Sequence, residues 1–200
     1  YIEFVRLLVE KVDEWKTQYG WNFKVFAGAL NRISLRVGDT PLIKKLTAEV
    51  NTNPLIDGLD MHIHAEQWKE GGESFRIGRE DLKVKKDIIV TECSMVWVWG
   101  LNLKDNLAAW GTNNGYTSTT KFYQWLNNAI DKAEAGTPIS DKEFASYFNT
   151  RLWYPKNWLR NFYDEFNKWD VYCAMTRFSS ELKKSQDNDG RYTTSSTIWD

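Results

Sequence analysis

Hydrophobic patterns along these 200 residues run α-β-α-β-β-α-α-α-β, an alternation that predicts an α/β protein whose parallel sheet is wrapped by helices. Two further observations select the form of that sheet. No G-x-G-x-x-G or P-loop pattern marks a first turn, as it would in an open doubly wound sheet built for nucleotides. Four strand-like runs are present, in a length short of the roughly 250 residues of a complete (β/α)8 barrel. The expectation is about the second half of a (β/α)8 TIM barrel, strands five to eight with their helices, in a single partial domain over residues 1–200. A helical pattern is already running at Tyr1, so the remaining strands are expected upstream.

From Tyr1 to Tyr19, Ile2, Val5, Leu8, Val9, Val12 and Trp15 share one helical face and Glu3, Arg6, Glu10 and Lys11 the other, with Gly20 as the stop. Phe23 to Leu30 is a β-rich run ending at Asn31-Arg32, and a second helix starts at Pro41, carrying Leu42, Ile43, Leu46 and Val50. Leu55 to His64 alternates as a strand, and Asp87 to Glu92 is a compact apolar strand ending in an acid, with room for a helix between them. The Trp-, Asn- and Gly-rich stretch from Met95 to Ser118, with a turn at Asn113-Asn114-Gly115, reads as a long loop (about 94–118). Helices are then expected at Thr119 to Glu134, at Ser140 to Asn149 with the capping pair Ser140 and Glu143, and from Pro155 to Trp169. Trp169 to Thr176 reads as the last strand, before a polar tail.

Composition narrows the function. Lys and Arg number 26 against 27 Asp and Glu, a net charge of −1, so no positive excess is available for a phosphate backbone or an anionic bilayer. Nucleic acid and membrane are therefore not expected partners. The uncharged run Cys93 to Leu103 is 11 residues long, against about 20 for a membrane helix. Cys93 and Cys173 lack CxxC spacing and read as buried thiols. The unusual quantity is aromatic: 11 Trp, 9 Tyr and 10 Phe.

In a barrel the chemistry sits at the C-terminal ends of the strands, which singles out Asn31, His62, His64, Glu92 and the Thr176-Arg177 pair. Period two puts Asp60, His62 and His64 on one face of their strand, and Ile88, Val90 and Glu92 on one face of the next, with Thr91 and Cys93 opposite. His62-x-His64 is also a pattern for zinc and resembles the metal-binding first strand of amidohydrolases. With two His in the whole chain, a metal site lacks further imidazoles, and no metal or organic cofactor is expected.

Asp57-Gly58-Leu59-Asp60-Met61-His62-Ile63-His64, followed by Ile88-Ile89-Val90-Thr91-Glu92, resembles strands six and seven of the retaining (β/α)8 glycoside hydrolases that include endo-xylanases, cellulases and β-xylosidases. The resemblance implies that Glu92 is the nucleophile, with His62 and His64 orienting it and bonding the sugar. Asn31 and Arg177 would line the rim. It further implies a carbohydrate substrate, an extracellular or cell-envelope setting, and a proton donor in an Asn-Glu pair at the end of strand four. No Asn-Glu dipeptide occurs in these residues, so that donor is expected before Tyr1; Glu3 and Glu66 read as solvated surface. Cys93-Ser94 after Glu92, and Thr176-Arg177-Phe178 in place of a strand-eight Trp, depart from the xylanase form.

Carbohydrate clefts use Trp and Tyr as platforms for the apolar faces of sugar rings, which nominates Trp97 and Trp99 as stacking residues, with Trp110 and Tyr116 in the same loop. Packing under the loop is the competing reading, and it is the expected one for Trp153, Tyr154 and Trp158. A barrel that only grips glycans is the alternative function, and a metal-dependent amidohydrolase using His62 and His64 a less favoured one.

Overall fold

The computed structural model describes residues 1–35, 41–65, 67, 69–94 and 96–173. Its elements in chain order are α1 (Ile2–Tyr19), β1 (Phe26–Asn31), α2 (Pro41–Thr52), β2 (Gly58–His64), α3 (Lys69–Arg76), β3 (Asp87–Ser94), α4 (Val96–Asn102), α5 (Ala108–Asn113), α6 (Phe122–Glu134), α7 (Asp141–Asn149), α8 (Trp158–Trp169) and β4 (Val171–Cys173). The fold is α/β on a four-stranded parallel sheet with strand order β1-β2-β3-β4. Each strand lies beside the next one in sequence, with helix between them, and the order shows no reversal.

The described chain divides into two compact units, residues 1–93 with 159–173 and residues 94–158. The first holds the sheet. Leu59, Met61 and Ile63 of β2 and Ile88 and Val90 of β3 are 3 % exposed or less, and Gly78, in a π-helical turn over Ile77–Asp81, packs on Met61 and Ile88. That turn, together with α3, is the helix expected between the two strands.

Asp57 and Gly58 prove to be structural. The Asp57 carboxylate accepts from the Val25 amide at 2.7 Å and its own N–H donates to the Val25 carbonyl at 2.7 Å, fastening the start of β2 to the approach of β1. A Cβ on Gly58 would come within 2.2 Å of the Asp87 carbonyl oxygen, so only glycine lets the strands approach this closely. The clamp leaves residues 23–25 outside β1, which therefore starts at Phe26. Arg79 secures the other edge, donating to the carbonyls of Val84, Lys86, Trp169 and Asp170.

On α1 only Val5 and Val9 of the expected face are buried, while Leu8 and Trp15 are exposed together with Phe4 and Leu7. Gly20 does end the helix in the left-handed conformation, with φ 67°. Arg6 of α1 donates from Nε and Nη2 to Glu49 Oε2 of α2, at 2.9 and 2.6 Å, and Asn53 donates to Oε1.

The second unit corrects the loop expected at 94–118, which contains α4 and α5. Asn113-Asn114-Gly115 is the turn foreseen, with Gly115 at φ 83°. Trp110 is a core residue, 7 % exposed, edge-on to Trp125 and Tyr147 and stacked on Tyr116. Phe122, Trp125, Phe144, Tyr147 and Phe148 complete this aromatic core, with Trp153 and Tyr154 packed against it. Aromatic burial outweighs the local turn signals, because each ring contributes more through removal from water and edge-to-face contact than Asn and Gly cost in helix propensity. Ser140 caps α7 by accepting from the Glu143 amide, as expected.

Among the described residues no helix is long and apolar enough to cross a membrane. Cys93 is buried, as expected.

Two stability predictions follow from this packing. Phe122→Ala should cost about 3–5 kcal/mol in urea unfolding, because Phe122 is fully buried. Tyr147→Phe should change stability by less than about 1 kcal/mol, since that hydroxyl is buried with no hydrogen-bond partner among the described residues, and burial pushes its pKa up. For Glu49, the hydrogen bond from Arg6 holds the carboxyl below the usual Glu range. A lowered folded-state pKa stabilises above the unfolded value and is lost as pH falls through the folded one. The stability deficit of Glu49→Gln should therefore be full at pH 7 and shrink below about pH 4, as read by urea midpoints across pH.

Candidate active site

Parallel pairing brings the polar ends of three strands together. Asn31 of β1 lies in register with His62 of β2, and β3 follows on the far side of β2. Because Leu59, Met61 and Ile63 are buried, period two delivers Asp60, His62 and His64 to the opposite face, each half-buried.

On β3 the phase is opposite to expectation. Ile88 and Val90 lie on the buried side with Met61, and Thr91 lies on the Asp60 side. Glu92 nonetheless reaches the histidines, because regular alternation ends there: Glu92 is exposed while Cys93 and Ser94 are both buried. Its Oε2 is 3.1 Å from His64 Nε2 and 3.5 Å from His62 Nδ1. The Glu92 side chain is 57 % exposed, against 25 % for His62 and 18 % for His64, so the carboxylate stands at an open lip over two sheltered rings.

Beneath it runs a relay of hydrogen bonds. The Thr91 hydroxyl is 2.9 and 2.7 Å from the two Asp60 carboxylate oxygens and 3.1 Å from His62 Nε2, and the Thr91 amide donates to Asp60 Oδ1 at 3.2 Å. A carboxylate accepts, so the single hydroxyl proton goes to Asp60 and the hydroxyl accepts from His62 Nε2–H. Asp60 and Thr91 thus set both the tilt and the tautomer of His62.

A shallow hollow with room for about one water opens beside His64, lined by Arg32, Ser34, Ile63, His64, Ala65, Glu70 and Ser74. Arg32 Nη2 and Glu70 Oε2 face each other there at 3.8 Å. The sequence reading missed Arg32 and Glu70 as lining groups, and Asp60 and Thr91 as the support of His62. Arg32 follows directly after the strand-end Asn31, and that position was the signal for it.

Of the residues nominated from sequence, Asn31, His62, His64 and Glu92 are brought to adjacent strand ends. Arg177, Thr176, Met95 and Glu66 lie outside the described residues. Trp97 and Trp99 belong to α4, and their side chains are outside the description. Trp110 is removed from the list of platforms by its burial, and Glu3 is exposed on α1.

Chemically the group offers a carboxylate with open access, two imidazoles on one of its oxygens, and a second carboxylate that fixes one of those imidazoles. Compared with known protein families, curated proteins and solved structures, the chain matches none.

The relay is checked by ¹⁵N NMR of the histidines at alkaline pH. His62 should carry its hydrogen on Nε2 in the native protein, and Thr91→Val should abolish that preference while leaving the fold, followed by amide shifts, in place.

Proposed function

We propose that this chain is part of a retaining glycoside hydrolase, about the second half of its (β/α)8 barrel, acting on β-linked polysaccharides or oligosaccharides with Glu92 as nucleophile. The observation that carries the reading is the carboxylate at the end of β3 held at 3.1 Å by an imidazole from the end of β2. Sequential strand order in a parallel sheet supports the barrel, since a doubly wound sheet reverses direction partway.

In this reading Glu92 attacks the anomeric carbon and forms a glycosyl ester, and a proton donor about 5 Å away protonates the leaving oxygen and then activates the water that releases the sugar. His64 holds the carboxylate in its attacking rotamer, and His62, steered by Thr91 and Asp60, presents its Nδ1 lone pair beside that oxygen and accepts from a sugar hydroxyl. A sugar hydroxyl is assigned to the hollow beside His64, where Arg32 and Glu70 offer a donor and an acceptor. Asn31 and Arg177 are assigned to the rim, and Trp97 and Trp99 to stacking at adjacent subsites. An extracellular or cell-envelope setting belongs to the same proposal, since polymeric glycans are met there.

The test isolates the nucleophile. A dinitrophenyl 2-deoxy-2-fluoro-β-glycoside carries a leaving group that departs without protonation, so Glu92 alone suffices to form a stable adduct. A panel of such xylosides, glucosides and mannosides should give one sugar per chain, located on Glu92 by peptide mass spectrometry and absent in Glu92→Gln. An adduct elsewhere overturns the assignment. Glycan binding with no adduct at all replaces it with a non-catalytic carbohydrate-binding barrel.

A further inference from the structure

His62 and Glu92 meet in a way that hydrogen bonding between them leaves incomplete. The Thr91 hydroxyl gives its proton to Asp60 and accepts from His62 Nε2, so the neutral His62 ring presents a lone pair at Nδ1. That lone pair is 3.5 Å from Glu92 Oε2, which is also an acceptor, and His64 Nε2 is 3.1 Å from the same oxygen. Two electron pairs face each other, and a cation between them removes the repulsion.

We infer that His62 Nδ1, His64 Nε2 and Glu92 Oε2 form a three-ligand site for a divalent transition-metal ion of the zinc class. Candidate donor atoms of the three residues all lie within 4.8 Å of one another. Ligands about 2.0–2.1 Å from a tetrahedral ion are separated by about 3.3–3.4 Å, a spacing that falls between the two observed separations of 3.1 and 3.5 Å. Two imidazoles and one carboxylate leave a fourth position for water or another ligand, a donor set that suits zinc, copper or nickel and not magnesium or calcium. The other nitrogen of His62 is held by Thr91 and Asp60, the outer-shell support that metal-binding histidines require. The exposed Glu92 side gives an entry path, and both histidines stand on one rigid strand.

Counting histidines along the chain argues against this site, because the third ligand is a carboxylate 28 residues after His64 and becomes adjacent only through β2–β3 pairing. The inference does not depend on glycoside hydrolysis. Were both correct, the ion would occupy the oxygen that attacks the sugar, and zinc would block formation of the glycosyl adduct.

Calorimetric titration of the chain with zinc chloride at pH 7.5 should show one equivalent bound. His64→Ala, His62→Ala and Glu92→Gln should each lower affinity at least about tenfold, and Thr91→Val, which removes no ligand, about 10–100-fold. Magnesium chloride should produce no binding. X-ray absorption of the wild-type zinc complex should show two imidazole ligands and one carboxylate, a readout independent of whether any variant folds. Absence of stoichiometric zinc would overturn the site. Binding unchanged in the His62→Ala/His64→Ala double variant, or an absorption spectrum without imidazole, would overturn it equally. Glycosyl labelling is read by mass and zinc by heat and absorption edge, so either result can fail without the other.

Discussion

The controlling constraint is the two-residue period of a strand whose one face is fully buried. In β2, Leu59, Met61 and Ile63 are removed from water, and a slip of one residue would exchange them with Asp60, His62 and His64. Burying two imidazoles and a carboxylate in exchange for exposing three apolar side chains is unfavourable on both counts. Hydrophobic burial thus holds the register, and the register delivers the polar triplet to one surface. Asp57 and Gly58 reinforce it from below, one by binding the Val25 backbone and the other by admitting the Asp87 carbonyl.

Pairing between neighbouring strands then converts rows into a site. Thr91 touches both Asp60 and His62, so one hydroxyl bridges two alternate residues of the adjacent strand and orients the His62 ring. Glu92 stands beyond it, where β3 ceases to alternate regularly. The same irregularity that defeats a period-two argument is what swings this carboxylate toward the histidines. The aromatic wealth of the chain has a separate explanation, since many of its rings form the core of the second unit.

Several elements were legible because their signals are local. Gly20 as a left-handed stop, Ser140 with Glu143 as a cap, and the Asn113-Asn114-Gly115 turn all depend on groups within a few residues. The misread stretch at 94–118 shows the reverse case. Its Asn and Gly content favours a loop, and α4 and α5 exist because Leu103, Leu107 and Trp110 are buried against rings from α6 and α7, which no window around them contains. The start of β1 was misplaced for a similar reason: the Asp57 carboxylate that fastens Val25 is 32 residues away.

By itself, the sequence determined an α/β chain with His62, His64 and Glu92 at the ends of strands, since alternation and terminal polarity are properties of short segments. The tertiary structure alone decided that one Glu92 oxygen lies between two rings, that Asp60 and Thr91 orient His62, and that Arg32 and Glu70 meet beside His64. Distances between side chains on different strands depend on pairing register and on where alternation breaks. Both are settled by the burial of the whole sheet and are not written in any one segment of it.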